Sequence, residues 1–295
     1  MSEPLFLVAN LLCRAPVDNI QAEVIAPQTC LQMAVQPTVG DLWRTGSHSY
    51  PRSTSPRSGP QLYAQRLNAL LQGQIQTSVK AGASVPELWT SASPQPTYQQ
   101  WQQLLNQEAH LVAKQARQDP LGILVGDSLS MWFPNDLLPS NKIWLNQGIS
   151  GENTGQILAR LGYLNGIQAQ SIYLMAGVND FKQGIPEMTV LNNIRSMIRY
   201  LRCYHPEAVI VVQSLLPTNY AYLQGEKATY LNRQLQAIAT EEGANYLNLY
   251  PLFADRRGAL RRELSTDGLH LNRAGYEIWR QALQNLENCL DESPR

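Results

Sequence analysis

From residue 119 onward, short apolar runs alternate with longer amphipathic segments, and no other feature of the sequence restricts the fold as strongly. Short runs of aliphatic and β-branched residues are typical of strands buried on both faces, whereas the longer segments show helical spacing. Strands joined by helices pair in parallel, and a parallel sheet carries helices on both faces. The sequence therefore predicts an α/β fold with five strands, at 122–125, 142–145, 171–175, 208–213 and 245–249.

The helices predicted between these strands have recognisable ends. Asn153 and Asn272 lie where N-cap side chains are expected, and Gly162, Gly166 and Gly243 follow segments that should stop. Together with the apolar spacing, these residues predict helices at about 129–133, 153–161, 188–204, 226–242 and 272–286.

The chain before this region differs in composition. The stretch "QPTVGDLWRTGSHSYPRSTSPRSGP" at 36–60 is rich in Pro, Ser, Gly and Thr and too poor in apolar residues to pack, which is typical of a linker or surface loop. Two Gln-rich amphipathic helices are predicted beyond it, in "QLYAQRLNALLQ" and "TYQQWQQLLNQEAHLVAKQARQ". We therefore divide the chain into an N-terminal segment without an assigned role (1–35), the linker or loop (36–60), a helical extension (61–117) and the α/β domain (118–290).

Charge and hydropathy argue against several classes of partner. Lys and Arg together number 23, as do Asp and Glu, so the formal net charge is zero and nothing indicates a nucleic acid or an anionic membrane surface. No apolar run approaches the ~20 residues of a transmembrane helix. The stretch "LFLVANLLC" at 5–13 is short, follows Glu3 and lacks a basic flank, so a cytoplasmic protein is favoured over a secreted or periplasmic one.

The four cysteines, Cys13, Cys30, Cys203 and Cys289, are far apart and form no Cys-x-x-Cys pair. Neither a zinc cluster nor a dense disulfide framework is indicated by this spacing. We interpret the four side chains as reduced or incidental thiols.

Residues that could take part in catalysis follow the ends of the predicted strands. The first strand runs into "GDS", the second into "NQGIS", the third into "AGVND", and the last leads towards "STDGLHLN". Because ligand sites in open parallel sheets form beyond the carboxyl ends of the strands, we expect these four segments to meet at one edge.

Three of these residues match what ester hydrolysis by a serine requires. The hydroxyl needs a base that takes its proton, and the base needs a carboxylate that holds it in the right tautomer. Ser128, His270 and Asp267 are the candidates for these roles. Only two residues separate Asp267 from His270, so a single turn can bring the carboxylate to Nδ1 while Nε2 faces Ser128.

The same chemistry needs hydrogen-bond donors for the oxyanion of the tetrahedral intermediate. The predicted donors are the backbone N–H groups of Ser128 and Gly148 and the side-chain amide of Asn179. Gly148 suits this task because a residue without a Cβ lets substrate approach the backbone closely. Supporting roles in the loops, such as accepting backbone N–H bonds, are assigned to Asp127, Gly177 and Asp180.

An abrupt strand-to-helix turn is predicted to carry Ser128 to the edge of the sheet. The segment is not the G-x-S-x-G elbow of the α/β hydrolases, because Ser130 stands where the second glycine would be. Trp132, four residues beyond Ser128, could line an acyl or alcohol pocket or could pack against the sheet, and both alternatives stay open.

At these positions the sequence resembles the SGNH hydrolase family, also called GDSL esterases and lipases. "GDSLS" at 126–130 resembles the first block of the family, "NQGISGENT" at 146–154 the second, "GVND" at 177–180 the third and "DGLH" at 267–270 the last. "SLLPT" at 214–218 is similar, more weakly, to a loop of the subgroup related to platelet-activating-factor acetylhydrolases. The resemblance covers about 120–290 and says nothing about residues 1–117.

The resemblance implies a flavodoxin-like three-layer fold with strand order 2-1-3-4-5, and it makes residues 118–290 a hydrolase catalytic domain. It also implies a triad of Ser128, Asp267 and His270 and an oxyanion hole formed by Ser128, Gly148 and Asn179.

The sequence therefore predicts a serine esterase that hydrolyses carboxylic esters through an acyl-enzyme on Ser128. A short-chain acyl ester, an acetylated sugar or a lysolipid-like molecule is the expected substrate. No metal and no other cofactor is expected, because His270 is the one histidine of four at the predicted site. An acyltransferase using the same triad and a catalytically idle binding or adaptor protein remain as alternatives, and the oligomeric state is not predicted.

Overall fold

The computed structural model describes residues 56, 58–75, 94–115, 119–223 and 225–292. At its centre lies a five-stranded, all-parallel sheet with strand order β2-β1-β3-β4-β5. The predicted α/β class and the strand order implied by the family resemblance are both confirmed. The strands are β1 (Leu121–Gly126), β2 (Ile143–Gly148), β3 (Ser171–Met175), β4 (Val209–Gln213) and β5 (Asn245–Leu247).

Long and short helices surround this sheet. They are α1 (Gly59–Leu71), α2 (Tyr98–Lys114), α3 (Ser128–Met131), α4 (Thr154–Ala159), α5 (Val178–Lys182), α6 (Glu187–Tyr204), α7 (Gly225–Glu241), α8 (Tyr250–Phe253) and α9 (Arg273–Glu292). Single 3-10 turns occur at Asn135–Leu137, Leu161–Leu164, Ala221–Leu223 and Arg262–Leu264. The predicted ends are correct to within a few residues, except that α9 continues six residues beyond the predicted end at 286.

Side chains of each strand alternate between two apolar cores, one on each face of the sheet. Ile123 and Val125 of β1 face one core, and Leu124 faces the other. The first core is closed by α4, α6 and α7, and the second by α3, α8 and α9. This alternation is what a strand buried on both faces produces, because successive side chains point in opposite directions.

The predicted N-caps of two helices are confirmed. Asn153 accepts the backbone N–H of Gln156 at 3.0 Å, and the Gln156 side chain accepts the N–H of Asn153 in return. Asn272 accepts the backbone N–H of Gly275 at 3.1 Å before α9. These contacts satisfy N–H groups that a helix leaves without internal partners.

The helices α1 and α2 pack against each other and against the carboxyl end of β2. Leu62 of α1 and Trp101 and Leu105 of α2 share an apolar cluster with Met131 of α3 and Ile149 after β2. The predicted N-terminal segment at 1–35 lies outside the described residues, as does most of the predicted linker at 36–60. Helix α1 begins at Gly59, inside that predicted linker, and the boundary at residue 118 stays a prediction.

Both cysteines in the described part of the chain, Cys203 and Cys289, are disulfide-bonded. The interpretation of these two side chains as reduced or incidental thiols is therefore wrong, because spacing along a sequence does not reveal which thiols meet in space. Cys13 and Cys30 lie outside the described ranges. Within those ranges, no helix combines the length and the apolar character needed to span a bilayer.

Candidate active site

Ser128 lies at a tight turn between the first strand and the helix that follows it. β1 ends at Gly126, Asp127 forms the turn, and α3 begins at Ser128. A Cβ atom on Gly126 would collide with the carbonyl oxygen of Met175 and the hydroxyl of Ser130, so a side chain has no room there. Helix α3 has only four residues and ends before the predicted limit at 133.

The structure brings Ser128, His270 and Asp267 together in one line of hydrogen bonds. The Ser128 hydroxyl oxygen is 3.2 Å from Nε2 of His270. The other ring nitrogen, Nδ1, is 2.7 Å from Oδ2 of Asp267. Ser128 and His270, which are 142 positions apart along the chain, thus lie in contact. The two ring nitrogens of His270 face the Ser128 hydroxyl and the Asp267 carboxylate, respectively.

The turn that carries Asp267 and His270 is held by its own hydrogen bonds. Oδ1 of Asp267 accepts the N–H groups of Leu269 at 3.0 Å and His270 at 2.8 Å. The Ser265 hydroxyl donates to the carbonyl of His270 at 2.8 Å and accepts the N–H of Gly268 at the same distance. Partial burial acts to raise the pKa of Asp267, but the hydrogen bonds from the His270 ring and from the N–H groups of His270 and Leu269 stabilise the charged carboxylate and lower its pKa below the ordinary value.

The loop after β4 stabilises this turn through two hydrogen bonds. The N–H of Asn219 donates to the carbonyl of Gly268 at 2.8 Å. The Tyr220 hydroxyl donates to the carbonyl of Asp267 at 3.2 Å, and its ring stacks on Tyr222 with centroids 5.5 Å apart. The backbone that carries the acid and the base is therefore tied to the main sheet at two points.

Two of the three predicted oxyanion donors, Asn179 and Gly148, already have hydrogen-bond partners. Asn179 is buried at the start of α5, and its Nδ2 donates to the carbonyl of Glu152 at 2.9 Å. The N–H of Gly148 donates to Oδ1 of Asn146 at 3.0 Å, so this predicted donor is already paired. Three residues further on, Gly151 has a φ of 85°, and a Cβ atom placed on it would meet no atom within 4 Å.

Gly148 is required by packing rather than by the approach of a substrate. A Cβ atom there would lie 2.8 Å from the carbonyl oxygen of Asp127 and from Cα of Met131, and closer still to the Met131 nitrogen. The backbone of α3 therefore lies directly against the end of β2. Our expectation that the missing Cβ leaves room for substrate does not describe this contact.

The supporting residues organise the loops around the site. Oδ1 of Asp127 accepts the N–H of Leu129 at 3.0 Å. Asp180 accepts the backbone N–H of Thr154 at 2.9 Å and its hydroxyl at 2.5 Å, which joins α5 to the first turn of α4. Gly177 adopts a φ of 129° before α5, a conformation that a residue with a side chain rarely adopts.

Asp127 is fully buried immediately beside Ser128. Its Oδ2 has no hydrogen-bond partner among the described residues. Burial raises the pKa of Asp127 to about 7, even though the bond from Leu129 and the nearby His270 act in the opposite direction. An acid that titrates near neutral pH thus lies directly behind the candidate nucleophile.

A small, mostly apolar cavity lies beside the serine and histidine turns, and neither Ser128 nor His270 lines it. Leu129 and Leu269, the neighbours of Ser128 and His270, both line it. Met175 at the end of β3 and Leu215 and Leu216 after β4 line it as well. Trp132 is half-buried and contacts two apolar clusters, and its Nε1 donates to the Ser150 hydroxyl at 3.2 Å, so packing describes it better than the pocket alternative.

Sequence reasoning missed a buried ion pair next to the site. The Arg160 guanidinium binds the Glu152 carboxylate with Nε 2.9 Å from both oxygens and Nη2 2.6 Å from Oε2. Arg160 also donates to the carbonyl of Gln147 at 2.7 Å. Charged side chains are rarely buried unless they are paired, and Glu152 lies within the quoted "NQGISGENT", but burial cannot be seen in the sequence.

Comparison with known proteins adds independent findings. The model of the GDSL-like Lipase/Acylhydrolase family matches residues 122–278. The chain is 28% identical over 188 residues to "Platelet-activating factor acetylhydrolase IB subunit alpha1" of Rattus norvegicus, which covers 59% of this chain and 78% of that protein. It is 26% identical over 126 residues to "Isoamyl acetate-hydrolyzing esterase" of Saccharomyces cerevisiae, which covers 37% and 53% of the two chains, respectively.

Solved structures share the fold. One from Streptococcus pneumonia, named for a platelet activating factor, has a TM-score of 0.56 and 26% identity and covers 65% of this chain and 94% of that one. A GDSL-like lipase from Bacteroides thetaiotaomicron has a TM-score of 0.55 and 20% identity and covers 63% and 97%. At 20% identity, the second likeness concerns the fold alone.

Proposed function

The chain belongs to the GDSL-like lipase/acylhydrolase family and is a carboxylic ester hydrolase, and on this basis we propose that it cleaves its ester through an acyl-enzyme formed on Ser128. The observation that carries the proposal is the continuous line from the Ser128 hydroxyl through the His270 ring to the Asp267 carboxylate, with distances of 3.2 and 2.7 Å. A serine nucleophile needs this arrangement of base and orienting acid.

In the first half of the reaction, the Ser128 oxygen attacks the ester carbonyl while Nε2 of His270 takes the hydroxyl proton. The Asp267 carboxylate keeps the proton on Nδ1 and stabilises the imidazolium that forms. Collapse of the tetrahedral intermediate breaks the bond to the alcohol, which leaves with the proton from Nε2. The acyl group is then bonded to Ser128.

In the second half, water replaces the alcohol. His270 takes a proton from the water, the resulting hydroxide attacks the acyl-enzyme, and the proton returns to the Ser128 oxygen as the acid leaves. One ester and one water are consumed for each alcohol and acid released. No metal ion or organic cofactor enters either step.

Oxyanion stabilisation is assigned to the Ser128 N–H and to Asn179. The Asn179 Nδ2 carries a second hydrogen in addition to the one donated to Glu152. Gly148 can donate only if its N–H leaves Asn146. Gly151 is the alternative third donor, because it lies between Ser150, which contacts Met131 of α3, and Glu152, which binds Asn179.

Short acyl esters are the proposed substrates, with an acetylated sugar or a lysolipid-like acetyl ester as the finer possibilities. One relative is named as an acetylhydrolase of platelet-activating factor and another as an esterase that hydrolyses isoamyl acetate, so both names refer to the removal of an acetyl group.

The test is a series of nitrophenyl esters from acetate to palmitate, run with the full chain and with Ser128→Ala. We expect turnover that is greatest for acetate or butyrate, falls steeply with longer acyl chains, and drops by about 10³-fold or more in Ser128→Ala, since removal of a triad member leaves only residual catalysis. Acetylated sugars and an acetyl lysolipid run in parallel identify the alcohol preferred. Turnover by Ser128→Ala equal to that of the unmodified chain would refute the proposal.

A further inference from the structure

We propose that the helices α1 and α2 contribute to catalysis. Tyr98, on α2, acts through Glu152 to position the oxyanion donor Asn179. This inference rests on the proposed function, because it concerns the same reaction and the same donor. It assigns a role to the helical segment that precedes residue 122, where the family match begins.

Glu152 is the residue that connects the helices to the donor. Its side chain is 1% exposed, and Oε1 accepts the hydroxyl of Tyr98, from the first turn of α2, at 3.0 Å. Arg160 binds both oxygens of the same carboxylate. The backbone carbonyl of Glu152 accepts Nδ2 of Asn179 at 2.9 Å. Glu152 therefore accepts the Tyr98 hydroxyl with its side chain and the Asn179 amide with its backbone carbonyl.

Two further contacts fix the strand end that leads into this loop. Nη2 of Arg66, on α1, donates to the carbonyl of Asn146 at 2.6 Å. The Gln147 side chain donates to the carbonyl of Leu105, on α2, at 3.2 Å. Arg66 is itself buried and paired with Glu108 of α2, which ties the two helices to each other. The segment from 146 to 152 is thus held by α1 and α2 at three separate points.

Asn146 also connects this segment to the serine turn. Its Nδ2 donates to the carbonyl of Ser130 in α3 at 2.7 Å, and its Oδ1 accepts the N–H of Gly148. The apolar cluster of α1 and α2 includes Met131 of α3 and Ile149 after β2. Polar and apolar contacts of the two helices therefore converge on the elements that carry Ser128 and the loop beside Asn179.

Position matters here because an oxyanion donor is effective only at the place where charge develops. Donors are needed within about 2.7–3.1 Å of the oxyanion, and a displacement of about 1 Å can cost about 10²-fold in rate. The Asn179 side chain is held on one side by the carbonyl of Glu152, and Tyr98 and Arg160 hold the side chain of Glu152 in place. Loosening residue 152 should therefore reduce transition-state stabilisation more than substrate binding.

Tyr98→Phe is the sharpest test, because it removes one hydroxyl and keeps the ring. The Arg160 contact to Glu152 remains, and Tyr98 is 38% exposed, so the variant should fold. Tyr200→Phe is the matched control: its hydroxyl donates to Asn165 at 2.9 Å, and neither residue contacts the site. We expect kcat of Tyr98→Phe to fall about 3- to 20-fold with KM unchanged, as for loss of an interaction made in the transition state, and the control to match the unmodified chain.

A double-mutant cycle with Asn179→Ala separates positioning from general structural damage. If Tyr98 acts through Asn179, the fall in kcat caused by Tyr98→Phe should disappear in the Asn179→Ala background. The inference is overturned if Tyr98→Phe keeps full kcat, or if its effect is undiminished in that background. Loss of the proposed function would appear differently, as full turnover by Ser128→Ala.

Discussion

A single carboxylate, that of Asp267, fixes both the ring and the backbone of His270. Oδ2 is 2.7 Å from the ring nitrogen Nδ1, and Oδ1 accepts the backbone N–H of His270 at 2.8 Å. The acid therefore sets the tautomer of the base and also the place of its Cα. This double contact is possible because the two residues are three positions apart in one tight turn.

Replacing Asp267 by Asn should leave the turn intact and impair catalysis. The Asn Oδ1 can still accept the N–H groups of Leu269 and His270, but an amide facing Nδ1 favours the wrong tautomer. We expect kcat to fall by about 10²- to 10⁴-fold. A loss near the lower end of this range is expected, because the Asp267 side chain is 46% exposed to solvent. Steady-state kinetics on a short acyl ester measure this.

A suitable control for Asp267→Asn is Asp255→Asn. Asp255 likewise accepts two backbone N–H groups, those of Arg257 and Ala259, in another turn. Its substitution should leave kcat unchanged. Equal losses in both variants would show that turn structure, and not the tautomer of His270, explains the effect.

Asp127 should make stability depend on pH. Its pKa in the folded state is about 7, against an ordinary value of 3.8. Between these values the folded state binds more protons than the unfolded state, so this group's contribution to the free energy of unfolding decreases as pH rises. Relative to Asp127→Asn, the unmodified chain should lose stability between pH 4 and pH 7, by at most about 4 kcal/mol at 1.36 kcal/mol per pKa unit.

Urea unfolding of both proteins at pH 4.5, 6.0 and 7.5 measures this dependence. The difference between them should grow through the range and level off above pH 7. A difference that stays constant from pH 4.5 to 7.5 would contradict the raised pKa of Asp127.

Gly148→Ala should separate α3 from β2. The added Cβ would press against the backbone of Met131 and the carbonyl of Asp127, and backbone atoms cannot turn aside as a flexible side chain can. We expect a loss of about 1–3 kcal/mol in the free energy of unfolding, as for other overpacked sites. Because Ser128 begins the displaced helix, kcat should fall about 10²-fold or more.

Gly155→Ala is the matched control for this prediction. A Cβ atom on Gly155, in α4, would meet its nearest neighbour, Oδ1 of Asn153, at 3.4 Å, which is an ordinary contact. Alanine also favours a helix over glycine by up to about 1 kcal/mol. This variant should be as stable and as active as the unmodified chain, and comparable damage in both variants would disprove the packing argument for Gly148.

Much of the fold could be predicted because strands and helices leave local patterns in the sequence. The five apolar runs are buried on both faces of the sheet, and side-chain caps such as Asn153 act over three or four residues. The helix predicted at 129–133 was placed less well, because a four-residue helix is set by the packing of Gly148 and Met131 rather than by periodicity.

The residue types around the site were also visible, since glycines, acids, a serine and a histidine follow the strand ends. Their hydrogen-bond partners were not. Nothing in the sequence indicates that the N–H of Gly148 is paired with Asn146, or that Asp127 is buried with an unpartnered oxygen. Each of these facts depends on which neighbour occupies a given direction in space.

By itself, the sequence determined the α/β class, the predicted strands and the residues that could act as nucleophile, base and acid, because these depend on periodicity and short motifs. Only the tertiary structure decided that Ser128 meets His270 across 142 residues and that Tyr98 and Arg66 reach the loop beside Asn179. Contacts between distant segments follow from how the apolar faces of the helices and the sheet fit together. Local pattern does not encode that fit.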